Sequence, residues 1–440
     1  MWVHWTNNGR ALEDRRIRFI AAAVTTRPVG FYRRQGELVC DGVPLAAIAA
    51  AEGTPLYVYS AETFRARYRA IDSAFDGYPH TIHYALKANS TLAVARLLRE
   101  LGSAVDANTV WEVEVARKAG FQPSQIVFTG VGKSPAEIEC AVGLGVKAIN
   151  VESAGELARV EETASRLGRT ARVAVRVNPD IDAKSHPHIS TGLKINKFGV
   201  PVDDVRALLA SLRSRPSLTL VALHVHVGSQ ITSLEPLRRA AALAARLSRE
   251  LQDAGTHLEY VDLGGGLGVS YDGREVPDLR EYVSALLDEV RATGLPIVLE
   301  PGRAVAAPAG VLLARVIDLK PRTGDSDFAI IDAGMTELLR PALYGAFHQI
   351  EAVTSRPARV RAYEIVGPVC ESSDVVGRDR TLPELGVGDL LAIRDAGAYG
   401  SVMASNYNRR PLPAEVLVDA GAWRVVRRRQ TVDDMLLLES

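Results

Sequence analysis

A lysine at the end of an apolar stretch is the first residue in this sequence whose position suggests chemistry. The run TIHYALKANS, residues 81–90, contains a strand-like apolar segment that ends on Lys87. A lysine there either extends its ammonium group along an apolar surface to water or takes part in a reaction. On this stretch alone the first interpretation is favoured, because lysine is usually a surface residue. The other candidate residues change that balance.

A glycine-rich stretch could supply a phosphate site. The run VDLGGGLGVSY, residues 261–271, offers backbone N–H groups without Cβ obstruction at the end of another strand. A phosphate binds such donors more readily than it binds side chains. The glycines do not fit the pattern G-x-G-x-x-G, because Val269 stands where the last glycine should be, and a plain tight turn is the alternative. Ser229, just past the run HVG, could add a hydroxyl donor.

Two histidines occupy alternate positions of one strand-like run. His224 and His226 in HVHVGS would project to the same face if they lie in one strand, and such a pair could bind a metal ion. Buried or stacking histidines are commoner, and the strand ends lack the density of His, Asp and Glu side chains that a metal site has. We therefore predict no metal.

Three features together indicate pyridoxal phosphate. A lysine at one strand end can form a Schiff base with this cofactor, and burial plus a neighbouring cation would lower the pKa of Lys87 toward nucleophilic use. The glycine-rich run would bind the phosphate. Glu300, at a third strand end, would keep the pyridine nitrogen protonated and strengthen the electron sink. His226 could lie flat on the ring.

A repeating pattern of elements must position these residues. From about residue 57 to about residue 303, short β-branched runs alternate with amphipathic helical stretches, which predicts a parallel sheet. Eight such units over about 250 residues match a (β/α)8 barrel, whose active site lies at the C-terminal ends of the strands. A doubly wound open sheet is the alternative, because periodicity does not show closure. Polar residues at the predicted strand ends include Lys87, Asp106, Glu152, Asn178, His226 and Glu300.

The pattern changes after residue 316. Runs such as DFAIIDAG and GDLLAIRDAGAYG are short strands broken by Gly, Pro and Asp, which predicts a largely antiparallel β domain. The early run GFYRRQGELVCDGVPL has a similar pattern and is expected to join that domain. We predict a poorly ordered extension at residues 1–27, an N-terminal part of the β domain at 28–56, the barrel at 57–316 and the C-terminal β domain at 317–440.

Composition limits the possible partners. The chain has 440 residues, more than one hydrophobic core usually supports, with 52 basic and 52 acidic residues. A net charge of zero gives no attraction to nucleic acid or to an anionic membrane, and no apolar run approaches the roughly 20 residues that span a bilayer. Cys40, Cys140 and Cys370 lie far apart in sequence, which argues against a disulfide framework and suits a reducing cytoplasm.

Eight stretches of the chain also resemble, in order, the signature stretches of the diaminopimelate decarboxylase family. They are YALKANS, TGVGKS, HVHVGSQ, DLGGGLGVSY, EPGR, RPALYGAFH, GPVCESSD and RDAGAYG, and the likeness runs from about Val29 to Val418. The family has the alanine-racemase-like fold (fold type III) of pyridoxal-phosphate enzymes. The resemblance implies a barrel with a β domain, and an obligate homodimer with active sites at the subunit interface. It also implies decarboxylation of meso-2,6-diaminopimelate to L-lysine and CO2.

The resemblance implies roles for individual residues in binding the cofactor. Lys87 matches the Schiff-base lysine, His226 the histidine that stacks on the ring and Glu300 the partner of the pyridine nitrogen. The rest of the cofactor cradle corresponds to Ser229, Gly265, Gly266, Pro301, Gly302, Arg303 and Tyr399.

Substrate positions are implied in the same way. Cys370 and Glu371 match a pair supplied by the partner subunit, the cysteine as proton donor and the glutamate as the group that recognises the distal amino group. From the residues alone, Arg340 would be a surface salt bridge and Cys370 an inert buried thiol. Ser373 departs from the family pattern, which usually shows glycine there. The positions that match groups near the substrate, mainly its distal carboxylate, are Arg303, Arg340, Tyr344 and Tyr399.

Three alternatives to this function stay open. A paralogous decarboxylase could act on D-lysine or D-ornithine, on a carboxyspermidine-type compound or on a glutamyl group of a carrier protein. A racemase of the same superfamily is disfavoured, because CESSD replaces the tyrosine-bearing region expected of its second base. A non-catalytic, decarboxylase-like regulator would have no need for Lys87, Glu300 and Cys370 together.

Overall fold

The computed structural model describes residues 29–183, 191–193, 195–323, 325–355 and 357–439. The extension predicted at residues 1–27 lies outside these described residues. No helix in the described ranges combines the length and the apolar character needed to cross a membrane.

The N-terminal strands form a small sheet and contribute one strand to a larger one. β1 (Phe31–Arg34), β2 (Glu37–Cys40) and β3 (Val43–Pro44) pair in this order as an antiparallel sheet. α1 (Leu45–Glu52) follows, and β4 (Leu56–Ser60) then pairs with strands from the C-terminal part of the chain.

Eight parallel strands close into a barrel with helices around it. The elements in chain order are α2 (Ala61–Ala74), β5 (His80–Ala85), α3 (Leu92–Glu100), β6 (Ala104–Ala107), α4 (Val110–Ala119), β7 (Ile126–Phe128), α5 (Pro135–Leu144), β8 (Ala148–Val151), α6 (Ala154–Arg166), β9 (Ala171–Asn178), β10 (Val200–Pro201), α7 (Val202–Ser211), β11 (Leu218–Val225), α8 (Leu234–Asp253), β12 (Tyr260–Asp262), α9 (Leu279–Val290), β13 (Ile297–Leu299) and α10 (Arg303–Ala306).

Strand pairing confirms the predicted barrel. The ring runs β5-β6-β7-β8-β9-β11-β12-β13, and β13 pairs with β5 to close it. The short β10 pairs only with β9 and stands outside the ring. The alternative of an open sheet is therefore excluded.

Local sequence explains how the strands lead into the helices. β6, β7 and β8 are buried along their whole length, as expected for parallel strands that are covered on both faces. α4, α5 and α6 begin after Thr109, Ser134 and Ser153, whose hydroxyls each accept a hydrogen bond from the backbone N–H three residues later. These caps fix the loops at the C-terminal face of the barrel.

The C-terminal part of the chain forms the predicted second, mostly antiparallel sheet. Its strands are hydrogen-bonded in the order β18-β17-β15-β14-β4-β20-β21, with β19 paired to β14 and β16. The predicted boundaries near residues 56 and 316 stay predictions, and β4 and β14, which flank them, both pair within this sheet. The elements are β14 (Gly310–Lys320), β15 (Asp327–Ile331), α11 (Arg340–Tyr344), β16 (Ile350–Ala352), β17 (Val360–Val366), β18 (Val375–Pro383), β19 (Leu390–Ile393), β20 (Ala414–Asp419), β21 (Ala422–Arg427) and α12 (Val432–Leu436).

Candidate active site

A cavity of about 290 Å³ lies at the C-terminal ends of the barrel strands. The loops after β5, β11, β12 and β13 line it from the barrel, while α11 and the loop after β19 line it from the second sheet. Cys370 and Glu371 are the two predicted site residues that do not line it. The other twelve do: Lys87, His226, Ser229, Gly265, Gly266, Glu300, Pro301, Gly302, Arg303, Arg340, Tyr344 and Tyr399.

Lys87 lies in a single 3-10 turn directly after β5, and its side chain lines the cavity. Its Nζ lies 3.0 Å from Asp106 Oδ2 and 3.4 Å from Asn108 Oδ1. Burial alone would lower the pKa of Lys87, but the nearby Asp106, Tyr399 and Glu300 together outweigh it, and the pKa is raised. The prediction of a lowered pKa is therefore wrong, because the nearest charged group is an anion and not a cation.

The glycine-rich stretch packs backbone against backbone at the cavity wall. An added Cβ at Gly265 would lie 2.3 Å from the carbonyl oxygen of Glu300, and one at Gly266 would lie 2.6 Å from that of Gly228. Gly266 also has a φ of +110°, which side chains rarely adopt. The Gly265 N–H donates to His226 Nδ1 at 3.2 Å, which leaves the His226 proton on Nε2. Burial and the nearby Lys87 ammonium lower the pKa of His226, so this ring is neutral.

Gly265→Ala is expected to weaken both folding and cofactor binding. The new Cβ would meet a backbone atom of the Glu300 turn, and overpacking of this kind costs about 1–3 kcal/mol of unfolding free energy. Urea denaturation and titration of the apoprotein with cofactor measure the two effects. Gly143→Ala in α5 is the matched control and should weaken neither, because its Cβ would meet no atom within 4 Å and alanine favours a helix by about 0.5–1 kcal/mol over glycine. Equal results for the two variants would contradict a role of close packing.

Two buried guanidinium groups face the cavity without an acidic partner. Arg303 donates to Tyr271 Oη at 2.8 Å and to Ser229 Oγ at 3.0 Å. Arg340 donates to His348 Nε2 at 2.6 Å, and its guanidinium lies 4.4 Å from the centre of the Tyr271 ring. Neither arginine forms an ion pair with a carboxylate of the described residues. Such cations favour an anionic ligand group, and the interpretation of Arg340 as a surface salt bridge is wrong.

Hydrogen bonds join the Lys87 turn to the second sheet. The backbone N–H of Tyr399 donates to the Ala88 carbonyl at 2.8 Å, and Asn89 Nδ2 donates to the Gly397 carbonyl at 3.1 Å. Tyr399 has a φ of +54°, and the Arg303 guanidinium lies 4.6 Å from the centre of its ring. The loop after β19 therefore holds Tyr399 directly over the barrel mouth.

Cys370 and Glu371 lie on an exposed loop between β17 and β18. The Cys370 N–H donates to Asn408 Oδ1 at 3.1 Å, and Ser373 Oγ donates to a carboxylate oxygen of Glu371. The interpretation of Cys370 as a buried thiol is therefore wrong. Ser373, which departs from the family pattern, contacts the adjacent predicted substrate residue through its hydroxyl.

Four residues that were not predicted as site residues contact the lysine and the arginines that line the cavity. Asp106 ends a predicted strand, but the sequence assigns it no role, because its contact with Lys87 depends on the pairing of β5 with β6. Asn108 follows two residues later. Tyr271 is the last residue of the quoted glycine-rich stretch, and His348 ends RPALYGAFH, yet their contacts with the arginines cross from the barrel to the second sheet.

Glu300 lies at the cavity wall within a buried polar cluster. Its Oε2 is 3.2 Å from His224 Nε2, and His224, Asp262 and Glu300 each place one atom within 4.8 Å of the others. Burial raises the pKa of Glu300 and lowers that of His224 to about 4, so His224 is neutral at neutral pH. The absence of a bound metal stays a prediction.

The cavity fits the predicted pyridoxal phosphate. Lys87 offers an amine at the cavity wall, Glu300 offers a buried carboxyl group there, and the glycine stretch leaves backbone where a side chain would clash. The amine suits the aldehyde of the cofactor, the carboxyl group suits its ring nitrogen, and the backbone of the glycine stretch suits its phosphate.

Comparison with known proteins gives an independent result. Residues 61–307 match the model of the pyridoxal-dependent decarboxylase family, pyridoxal binding domain. The chain is 46% identical to the diaminopimelate decarboxylase of Vibrio cholerae over 410 residues, which cover 93% of this chain and 98% of that protein. The Helicobacter pylori diaminopimelate decarboxylase, complexed with L-lysine, superposes with a TM-score of 0.86 at 42% identity, over 90% of this chain and 98% of that chain. The M. jannaschii diaminopimelate decarboxylase, in complex with L-lysine, superposes with a TM-score of 0.89 at 36% identity, over 93% and 98%.

Proposed function

The chain belongs to the diaminopimelate decarboxylase family, and from this premise we propose that it uses pyridoxal phosphate to convert meso-2,6-diaminopimelate into L-lysine and CO2. The observation that carries this proposal is the arrangement of the cavity. Lys87 and Glu300 line the cavity from the barrel side, and it is also lined by two buried arginines that form no ion pair with a carboxylate of the described residues and would bind a second carboxylate of the substrate.

Several residues would hold the cofactor. When bound, pyridoxal phosphate supplies an electron-accepting ring that stabilises the negative charge left by the departing CO2. Lys87 would hold it through Nζ, and Asp106 would accept a hydrogen bond from that amine whenever the amine is free. Glu300 would face the ring nitrogen and His226 the ring plane. The phosphate would lie against Ser229, Gly265, Gly266, the Pro301–Gly302 turn and Tyr399.

The arginines explain the choice of substrate. Arg303 and Arg340, together with Tyr344, would bind the distal carboxylate, and their burial makes an unpaired cation costly. A monoamino acid would leave both guanidinium groups without an acidic partner. The site should therefore reject it much more strongly than a simple apolar pocket would.

We further propose a homodimer in which the partner subunit completes the site. Cys370 and Glu371 are exposed and do not line the cavity of their own subunit, which supports delivery to a second copy. Leu343 and Phe347, beside the cavity, are 46% and 40% exposed and offer apolar surface for that copy to cover. In this arrangement the Cys370 thiol gives a proton to the substrate carbon that has lost CO2, and Glu371 binds the distal amino group.

The proposed location is the cytoplasm. The three cysteines are free, as in a reducing compartment, and the balance of 52 basic and 52 acidic residues offers no attraction to nucleic acid.

CO2 release from the purified, cofactor-loaded protein tests the proposed reaction. We expect meso-diaminopimelate to be preferred over D-lysine, D-ornithine and L-ornithine by about 10⁴-fold in kcat/KM, with L-lysine as the product. Release from another amino acid alone would assign the chain to a paralogous decarboxylase. No release from any of the four would contradict the proposed reaction and favour a carrier-bound substrate or a regulatory role.

A further inference from the structure

Three polar side chains from adjacent barrel strands meet behind the cavity wall. His224 lies on β11, Asp262 ends β12, and Glu300 follows β13, so the parallel register brings them together inside the barrel. All three are buried, Asp262 and His224 completely. Glu300 and His224 line the cavity, and Asp262 lies behind them.

Two oxygen atoms of this cluster need a shared proton to form a hydrogen bond. Asp262 Oδ1 accepts from the Gly264 N–H at 2.9 Å, while Asp262 Oδ2 and Glu300 Oε1 are buried and have no hydrogen-bond partner among the described residues. The side chains of Asp262 and Glu300 are nevertheless close enough to hydrogen-bond each other. Two carboxylates can form that bond only if one of them carries a proton. Two adjacent buried carboxylates also cannot both hold a negative charge.

The surroundings decide which carboxyl group holds the proton. Burial, followed by the neighbouring Glu300, raises the pKa of Asp262 far above its usual range. No cation forms an ion pair with Asp262 in the described ranges. Lys147 lies 4.8 Å from the centre of the Tyr260 ring, and burial lowers its pKa although Asp262 opposes that shift. Burial also raises the pKa of Glu300, to about 8, so Glu300 is the one of the two that ionises first. It has the His224 ring at 3.2 Å and the cavity beside it. The other titratable groups that face Asp262 are Asp106 on β6, Tyr260 on β12 and Tyr282 on α9.

We propose that Asp262 is a permanently neutral acid that donates its proton in a hydrogen bond to Glu300, and that neutral His224 donates a second hydrogen bond from Nε2. The two are positioning residues, which hold Glu300 as the single buried anion that faces the ring nitrogen of the cofactor. This inference rests on the proposed function, because it takes the ring nitrogen as the partner of Glu300. An ionised Asp262 would instead push the proton onto Glu300 and remove the charge that the ring nitrogen needs.

Two variants test whether Asp262 acts as a neutral hydrogen-bond donor or as an anion. Asp262→Asn keeps the shape and an N–H donor but cannot ionise, whereas Asp262→Ala removes the donor. We expect Asp262→Asn to bind pyridoxal phosphate as the wild type does, with the same visible spectrum across pH. Asp262→Ala should bind it about 10- to 100-fold more weakly, as expected for the loss of a hydrogen bond to a charged group. His224→Gln, which can donate from a similar position, should likewise bind better than His224→Leu.

Infrared difference spectra report on the proton directly. The holoenzyme should show the carbonyl stretching band of a buried protonated carboxyl group, which Asp262→Asn loses and Glu300→Gln keeps. If the band persists in Asp262→Asn, or if that variant binds cofactor as poorly as Asp262→Ala, the proposal is overturned. Wild-type cofactor affinity in Asp262→Ala would also overturn it.

Glu300→Gln separates this inference from the proposed function. We expect it to alter the spectrum of the bound cofactor and to lower activity. An unchanged spectrum and activity would show that Glu300 does not face the ring nitrogen, which would remove the premise taken from the proposed function. Melting of each apoprotein monitors the fold, and Asp262→Asn, which conserves shape, keeps the test decisive even if Asp262→Ala fails to fold.

Discussion

Lys87→Ala should lose both turnover and the visible absorbance of bound pyridoxal phosphate while the protein stays folded. Lys87 is the only lysine among the described residues that line the cavity, so no neighbouring amine can replace it. The loss of a group that acts on the reacting atoms should reduce turnover by at least about 10³-fold. The fold should survive, because the side chain keeps 35% exposure and Asp106 retains a hydrogen bond from Asn108 at 3.1 Å. Absorbance, CO2 release and melting temperature measure the three expectations.

Lys87→Arg is the matched control for charge. It keeps a cation beside Asp106 but offers no nucleophilic amine, so it should be as inactive as Lys87→Ala. Lys118→Ala on the exposed face of α4 should behave as the wild type. Full activity in Lys87→Ala would refute the role of this residue in catalysis.

Mixing two inactive variants should restore activity if the site is shared between subunits. Lys87→Ala keeps a working Cys370, and Cys370→Ala keeps a working Lys87. A mixed dimer then has one complete site. Random exchange of equal amounts in a twofold-symmetric dimer should yield about one quarter of the wild-type sites. CO2 release before and after subunit exchange measures the recovery.

A second pair of variants controls for recovery by other routes. Lys87 and Glu300 line the same cavity of one subunit, so mixing Lys87→Ala with Glu300→Gln should restore nothing. A lack of recovery in the first pair, once exchange is demonstrated with tagged subunits, would contradict a shared site. Recovery of activity in both pairs would also contradict a shared site.

The barrel and the residues that line its cavity could be predicted because their signals are local. Each strand candidate ended where a polar residue or a glycine turn begins, and parallel strands bring all such ends to one face. Lys87, Gly265 and Glu300 are predicted in this way and line one cavity. The second sheet followed from short strands broken by turn residues.

Features that depend on long-range contacts could not be predicted from the residues alone. Burial lowers the pKa of Lys87, while Asp106 on the neighbouring strand, followed by Tyr399 and Glu300, raises it, so the direction of the shift depends on residues that only the fold brings near. Arg340 looked like a surface residue because nothing nearby in sequence shows that Tyr271 and His348 enclose it. Closure of the barrel could not be predicted either, because it depends on the pairing of β13 with β5, which lie far apart in sequence.

The helix α11 places two of the proposed substrate-binding residues outside the barrel. The barrel supplies Lys87 and Glu300, whereas Arg340 and Tyr344 begin and end a single five-residue helix in the second sheet's half of the chain. Under the proposed function, we expect substitutions in that short segment to change which substrate side chain the cavity accepts, while every barrel strand keeps its sequence. If Arg340 and Tyr344 bind the distal carboxylate together with Arg303, as proposed, a library confined to α11 is the economical route to new substrates.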